Sequence, residues 1–475
     1  MLKIFKKLLN INNVDKLFIL VWLITVLLQI HYFNQVQLHL NENSEGLVGF
    51  TSEHGYDTLA KKFLNHGKDG FKIQADDWLI RYRPPLYPII LSGWYKIYGE
   101  DRFSALVFNN VLLSLTVIVV FLTGRLINPV VGLISAIIIF IDPVIIKRAN
   151  AIQSEIPFMF FMSVFIFFLL IYFTKRKSIM YLSIFSFFFI LSSFTRAVTV
   201  YFPYFVPLIV LIYIYYLKDG YNQHISFILI IILISSIPTG LWMKRNYEIS
   251  GNSDFAGMKA VHLFNFLAPI SVARSQDISY SKAKQMLENK WLNNNEFKSM
   301  SVGEKENYKK IIAINVLKDN WIGFTSHYIS GFHKLFIGYD ASVYWLNYSP
   351  KKYGKLKEFR KMGVGISRIK LLFYQGYWDY LLYSIVIILF YLTNIILCLG
   401  GFINVIIYGE VKQKRFGIYL LTLFLYIVFI TSLWPLARLR TQIMPIMSLM
   451  SSLFIYKLLK KKNFKSSFKR IISCN

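Results

Sequence analysis

Long apolar runs decide what this chain can fold into. Leu17 to Phe33 is the first, and others lie near 104–123, 130–146, 156–173, 179–195, 199–217, 225–243, 380–407, 416–433 and 442–457. Most are close to the roughly 20 residues that carry a helix across the hydrocarbon of a bilayer. Composition agrees: 55% of residues are hydrophobic and 16% charged, where a soluble chain carries about 25% charged residues. The 42 Phe and 31 Tyr supply apolar and interfacial side chains. Pro143, Pro203, Pro207 and Pro238 fall in or beside these runs. Membrane helices tolerate proline when neighbours satisfy the freed backbone groups. The expectation is an all-α polytopic membrane protein with about ten transmembrane helices. The first run follows Lys3, Lys6, Lys7 and Lys16 and continues into His31, Tyr32, Phe33 and Asn34. A signal peptide has a shorter apolar core and a small-residue cleavage site, so this reads as an uncleaved span.

Basic residues in short connections set the orientation. With the N-terminus in the cytoplasm, the inner connections are Gly124–Pro129, Thr174–Ser178, Lys218–His224 and Gly409–Arg415. The tail, with Lys460, Lys461, Lys462, Lys465, Lys469 and Arg470, also falls inside. Five positions then agree on a multi-pass protein of the cell inner (plasma) membrane with both termini cytoplasmic. The long connections, about 34–103 and 244–379, face outward: a first loop with juxtamembrane helices and a second long outward segment. Trp321 to Tyr339 contains His327, His333, Lys334, Ser326 and Ser330, and reads as an aromatic-rich helix at the interface. The expected organisation is an N-terminal membrane module (1–260) with a catalytic first outer loop (34–103), an extracytoplasmic segment with interfacial helices (261–379), and C-terminal helices with a basic tail (380–475).

A net charge of +28 suggests nucleic acid, but the basic residues lie largely between apolar runs and in the tail, where they suit anionic lipid head groups. No zinc, RRM or helix-turn-helix signature accompanies them, so no nucleic-acid partner is expected. Two cysteines, Cys398 and Cys474, exclude a disulfide framework or a Cys-based zinc site.

Chemistry has few places to sit. The first outer loop gathers Glu53, Asp57, Asp69, Asp76 and Asp77. Tyr56, Leu59, Ala60, Phe63 and Leu64 recur at helical spacing, which predicts a short amphipathic helix, with Glu53 and Asp57 four apart. The run Arg81-Tyr82-Arg83-Pro84-Pro85-Leu86-Tyr87-Pro88 predicts a kinked segment with no ordinary helix until after Pro88. It sets two guanidiniums at the head-group level, where arginine suits bidentate contact with phosphate; for either one singly, a snorkelling cation is an equal reading. Lys147, Arg148, Glu155, Arg196, Lys244, Arg245, Arg438 and Arg440 all fall at outward ends of spans. Ionisable residues at membrane boundaries are costly and mark functional sites by default. A structural set would scatter over both faces; this one gathers at one mouth.

These segments, in this order, resemble the multi-spanning (C-type) glycosyltransferase superfamily, nearest the dolichyl-phosphate-mannose protein mannosyltransferases and the lipid A aminoarabinose transferases. The matching pieces are Glu53, Tyr56 and Ala60 after the first span, and then Arg83 to Pro88 with Tyr87. Ser154-Glu155, Thr195-Arg196, Trp242 to Tyr247, and Arg438, Arg440 and Pro445 complete the set. The family's first-loop acid is usually Asp; here it is Glu53, with Asp57 as rival. The resemblance implies transfer of a sugar from a polyprenyl-phosphate donor to an acceptor hydroxyl on a lipid, glycan or protein outside the cytoplasm. It implies Glu53 or Asp57 as general base. Arg81, Arg83, Lys147, Arg148, Arg196, Arg245 and Arg438 become carrier-phosphate ligands, and Glu155 orients the acceptor or a cation. Some superfamily members use a divalent metal, but the sequence shows no ligand set for one and no other cofactor is implied. The rival readings are a transporter or flippase and a polymerase or ligase of lipid-linked saccharides. The first would show an internal repeat and midplane charges; the spans here carry little charge apart from Asp142, and no clear repeat. The second would lack the acidic loop followed by Arg83 to Pro88.

Overall fold

The computed structural model describes residues 13–42, 55–67, 83–174, 178–218, 225–291, 293, 295–338, 378–433 and 436–472. Glu53 and Arg81 lie outside these residues. Helices account for the fold, and no strand occurs among the described residues. In chain order they are α1 (Asn13–Glu42), α2 (Tyr56–His66), α3 (Leu86–Tyr98), α4 (Arg102–Arg125), α5 (Pro129–Phe140), α6 (Pro143–Ala149), α7 (Glu155–Thr174), α8 (Ile179–Thr195), α9 (Val206–Leu217) and α10 (Ile225–Ser250). There follow α11 (Met258–His262), α12 (Ala268–Ser275), α13 (Tyr280–Trp291), α14 (Asn295–Ser299), α15 (Val302–Asp319), α16 (Trp321–Ile337), α17 (Trp378–Tyr408), α18 (Val411–Ser432) and α19 (Met444–Ile472).

The protein is a polytopic all-α membrane protein, with fewer spans than the apolar runs suggested. Among the described residues seven helical stretches are long and apolar enough to cross a bilayer, and the bent pair α5–α6 makes eight. Two expected spans fall short for physical reasons. Helix α8 has 17 residues and stops at Arg196, which leaves the helix for extended backbone. The run at 442–457 is only the first part of α19, where Lys457 and Lys460 end the apolar stretch. The pair α5–α6 bends by 67°. Asp142 stands at the break and caps α6, its Oδ1 accepting from the Val144 and Ile145 amides at 2.8 and 3.2 Å. Pro143 at the first helical position completes the new start.

Helix α7 is the axis of the bundle. It is apolar on every side, as a helix surrounded by others must be, and most of its residues are buried. It packs on α4, α8, α18 and α19. Helices α4 and α5 close to backbone contact at Gly124 and Gly132, where a Cβ on Gly124 would lie 2.6 Å from the Gly132 Cα. At one end of the bundle Arg125, closing α4, grips Asp15 in the first turn of α1 through two contacts of 2.6 Å. That end also holds Thr174, at the finish of α7, and the Lys457–Lys460 turn of α19. The start of α7 points to the other end, which carries α2, α3 and α6. There a second small core forms from Phe264, Val272, Leu287, Ile312 and Val316 of α12, α13, α15 and a π turn at Leu263–Leu267.

Candidate active site

The buried axis helix begins with a carboxylate. Glu155 is 2% exposed and can keep its charge there only among cations. Arg196, released from α8 into extended backbone, sets its Nη1 2.8 Å from Glu155 Oε1. The same nitrogen donates to Ser154 Oγ at 3.2 Å. Arg438, in the 3-10 turn Ala437–Gln442, places its Nε 3.8 Å from the same carboxylate oxygen. With its amide turned to face Arg196, Gln442 accepts from Nε and Nη2 at 3.1 and 3.2 Å.

Helix α2 supplies the next layer. The amphipathic helix expected there is present, with Tyr56, Leu59, Ala60 and Phe63 buried. The Tyr56 hydroxyl lies 3.0 Å from Ser154 Oγ, and the Arg83 guanidinium stands over its ring at 5.3 Å. Arg83 enters α3, which starts at Leu86 rather than after Pro88. Proline fits that first turn because its missing N–H would have no intrahelical partner. Arg148, 6% exposed at the end of α6, donates to Gln153 Oε1 at 2.9 Å. Burial lowers the pKa of the Arg438 guanidinium; Glu155 opposes that shift, while Arg196 and Arg148 add to it. Arg196 and Arg438 thus pair with Glu155 and Arg148 lies close by, while Arg83 stands one layer out over the Tyr56 ring, so that guanidiniums outnumber the buried carboxylate they surround.

Asp57 borders this group. One residue on from Tyr56 turns it about 100° around α2. There it accepts from the Tyr95 hydroxyl at 2.6 Å and pairs with Lys61 at 3.2 Å. Tyr87 packs on the Tyr56 ring at 5.1 Å. It is fully buried, its hydroxyl donating to Asn109 Oδ1 at 3.3 Å. Burial raises its phenol pKa, and Glu155 and Asp57 both push it further. Lys147 is buried next to Arg148 on α6. The Arg245 guanidinium covers the Trp242 ring at 4.6 Å and donates to Asn246 at 2.9 Å, and Trp242 in turn meets Phe194, two residues before Arg196.

Several members were not singled out as site residues from sequence. Ser154 bridges Tyr56 and Arg196, and its position before Glu155 was the available signal. His262, closing α11 just before the π turn, has its pKa lowered to about 4 by burial and by Arg83 and Arg438. A single histidine in a long polar segment offers no spacing to read. Arg440 is fully buried but plays a different part, donating to the Leu335, Phe336 and Gly338 carbonyls at 3.0, 2.9 and 2.9 Å, so that it pins the end of α16 to the bundle. Among the described residues no group of three or more His, Cys, Asp or Glu could hold a metal ion. No step is assigned to one.

Residues 82–242 match the family model described as dolichyl-phosphate-mannose-protein mannosyltransferase. The resemblance to the multi-spanning glycosyltransferases is borne out over that stretch. It contains Arg83, Tyr87, Lys147, Arg148, Glu155 and Arg196. In structure the chain is similar to the Archaeoglobus fulgidus oligosaccharyltransferase complex with Zn and sulfate, at 11% identity and a TM-score of 0.44, over 95% of this chain and 51% of that one. It is also similar to ArnT from Cupriavidus metallidurans bound to undecaprenyl phosphate, at 11% identity and a TM-score of 0.36, over 92% and 77%. The chain spans about half the length of the oligosaccharyltransferase. No curated protein matches it in sequence.

Proposed function

We propose that this chain is a membrane glycosyltransferase that moves a sugar from a polyprenyl-phosphate donor to an acceptor hydroxyl at the membrane face bearing Glu155. The observation that carries the reading is the cationic excess around that carboxylate. Two guanidiniums paired with one buried acid, with Arg148 and Arg83 close by, are a receptor for an anion, and at membrane depth the fitting anion is a lipid-linked phosphate. The chemistry follows from charge. The acceptor oxygen attacks the anomeric carbon while the bond from that carbon to the carrier phosphate breaks. Its electron pair leaves on the phosphate oxygen. The phosphate is already anionic and needs cations rather than a proton, which Arg83, Arg196 and Arg438 supply. Glu155 keeps those cations in register, and the acceptor's proton passes to a first-loop carboxylate, Glu53 or Asp57.

Asp57 follows Tyr56, whose ring lies under the Arg83 guanidinium, and that adjacency supports it as the base. The acceptor would approach between α2 and the α11–α12 turn, where His262 stands. The face with Glu155 would be extracytoplasmic and the Arg125–Asp15 end cytoplasmic, as the basic connections suggest. The test is turnover of a polyprenyl-linked sugar by wild type, Glu53→Gln and Asp57→Asn in purified membranes. One variant should lose at least about 100-fold in rate, the low end of general-base catalysis. Full activity in both would overturn the base assignment, and no turnover of any polyprenyl-linked donor by the wild type would overturn the enzyme reading.

A further inference from the structure

The end of the bundle away from Glu155 holds a second site. Between the ends of α4, α7, α17, α18 and α19 lies a cavity of about 460 Å³. Helix α7 runs from the site to this cavity in 20 residues, about 30 Å at 1.5 Å per residue, so the two lie near opposite faces of a bilayer. Its walls are split by polarity. Leu170, Phe416 and Leu453 form an apolar flank, and Asn404, Tyr456, Lys457 and Lys460 form a polar rim. No carboxylate lines it among the described residues. The neighbouring acids are engaged elsewhere: Asp15 with Arg125, and Glu410 in the capping box that starts α18.

The rim is organised for an anion. Lys457 bonds Asn404 Oδ1 and stands over the Tyr408 ring at 4.3 Å, which fixes its ammonium at the opening. Lys460 follows three residues on, along the same face of α19. The Tyr456 oxygen accepts from Asn128 Nδ2 at 3.1 Å, which leaves its own O–H proton for a phosphate oxygen. An apolar slot with a cationic, hydrogen-bonding mouth at interfacial depth matches an amphiphile with an anionic head. We propose that this cavity binds a single anionic phospholipid, its phosphodiester between Lys457, Lys460 and Tyr456 and its acyl chains along Leu170, Phe416 and Leu453. The site is separate from the proposed donor mouth and does not depend on that reading.

The test is native mass spectrometry of the full chain titrated with phosphatidylglycerol, with phosphatidylcholine of the same acyl chains, and with inorganic phosphate. Each lysine near the head group is worth about fivefold in affinity, so Lys457→Gln with Lys460→Gln should weaken phosphatidylglycerol binding about 30-fold. Both side chains are exposed, so the double variant should keep its thermal stability in phosphatidylcholine. Lys412→Gln, an exposed lysine at the same end, should change binding less than twofold. The proposal is overturned if the double variant binds phosphatidylglycerol like wild type, if phosphatidylcholine binds equally, or if Lys412→Gln weakens binding as much. Binding of inorganic phosphate alone with the same affinity would overturn the lipid as occupant.

Discussion

If Glu155 serves to hold arginines rather than to touch the donor, removing its charge should damage the fold and improve the grip on phosphate together. Glu155→Gln keeps the volume and removes the partner of Arg196 and Arg438. Breaking a buried pair by deleting one member costs about 3–5 kcal/mol. Side-chain exposures of 17% for Arg196 and 24% for Arg438 place this one at the low end, near 3 kcal/mol. Binding should move the other way. A phosphate seated on the guanidiniums about 8 Å from Glu155 would feel its charge as a repulsion of about 2 kcal/mol at an effective dielectric near 20. Water at the partly exposed arginines screens part of that, which leaves a gain of about 5- to 10-fold in affinity. Arg196→Gln should lose both stability and affinity. Calorimetric titration of a polyprenyl phosphate into purified protein in detergent, with thermal unfolding on the same samples, reads both quantities. A folded Glu155→Gln variant that binds phosphate more weakly than wild type, as Arg196→Gln does, would refute the holding role and make Glu155 a direct ligand.

The other predictions separate the two ends of the bundle. His262 has a folded-state pKa of about 4 against an ordinary 6.5, so the unfolded chain binds its proton first. Stability is therefore complete above pH 6.5 and falls as pH drops toward 4, and His262→Gln should flatten the melting temperature over that window. Asp15→Ala leaves Arg125, 7% exposed, without its two 2.6 Å contacts; it should cost about 3–5 kcal/mol in unfolding assays. Sugar transfer by the protein that remains folded should be unchanged, since that pair stands at the far end of α4.

What could be read from the residues divides along physical lines. Membrane helices were legible because twenty apolar residues admit few other structures, and the helix of Tyr56, Leu59, Ala60 and Phe63 was legible because burial on one face imposes a period. Span boundaries were less so. The hydropathy of the run at 130–146 hides the 67° break, because it averages over a single capping residue; the signal lay in Asp142 followed by Pro143, an N-cap and first-turn pair. The gathering of Glu155, Arg196 and Arg438 was foreshadowed by their shared position at span ends. Their pairing was not, since it depends on α8 ending one residue before Arg196 and on a 3-10 turn presenting Arg438.

The placement of the site follows from how a bundle buries its axis. A helix enclosed on all sides cannot carry charge along its length, because each ion would need a partner in a medium without water. Helix α7 keeps polar side chains scarce between Glu155 and Thr174, and its charge appears only where neighbouring helices diverge. There each surrounding element also ends: α8 at Thr195, α6 at Ala149, and the chain before α19 in the turn bearing Arg438. Helix ends free the backbone to deliver long cationic side chains to one point, and Tyr56 of α2 and Arg83, just before α3, cover it. A buried acid at the head of the axis helix is then a carboxylate that arginines from distant segments can share, as Arg196 and Arg438 do. At the tail of α7 the described lining carries no carboxylate, since Asp15 is paired with Arg125 and Glu410 caps α18, and lysines stand on the rim, which is why a lipid anion is the proposed occupant there.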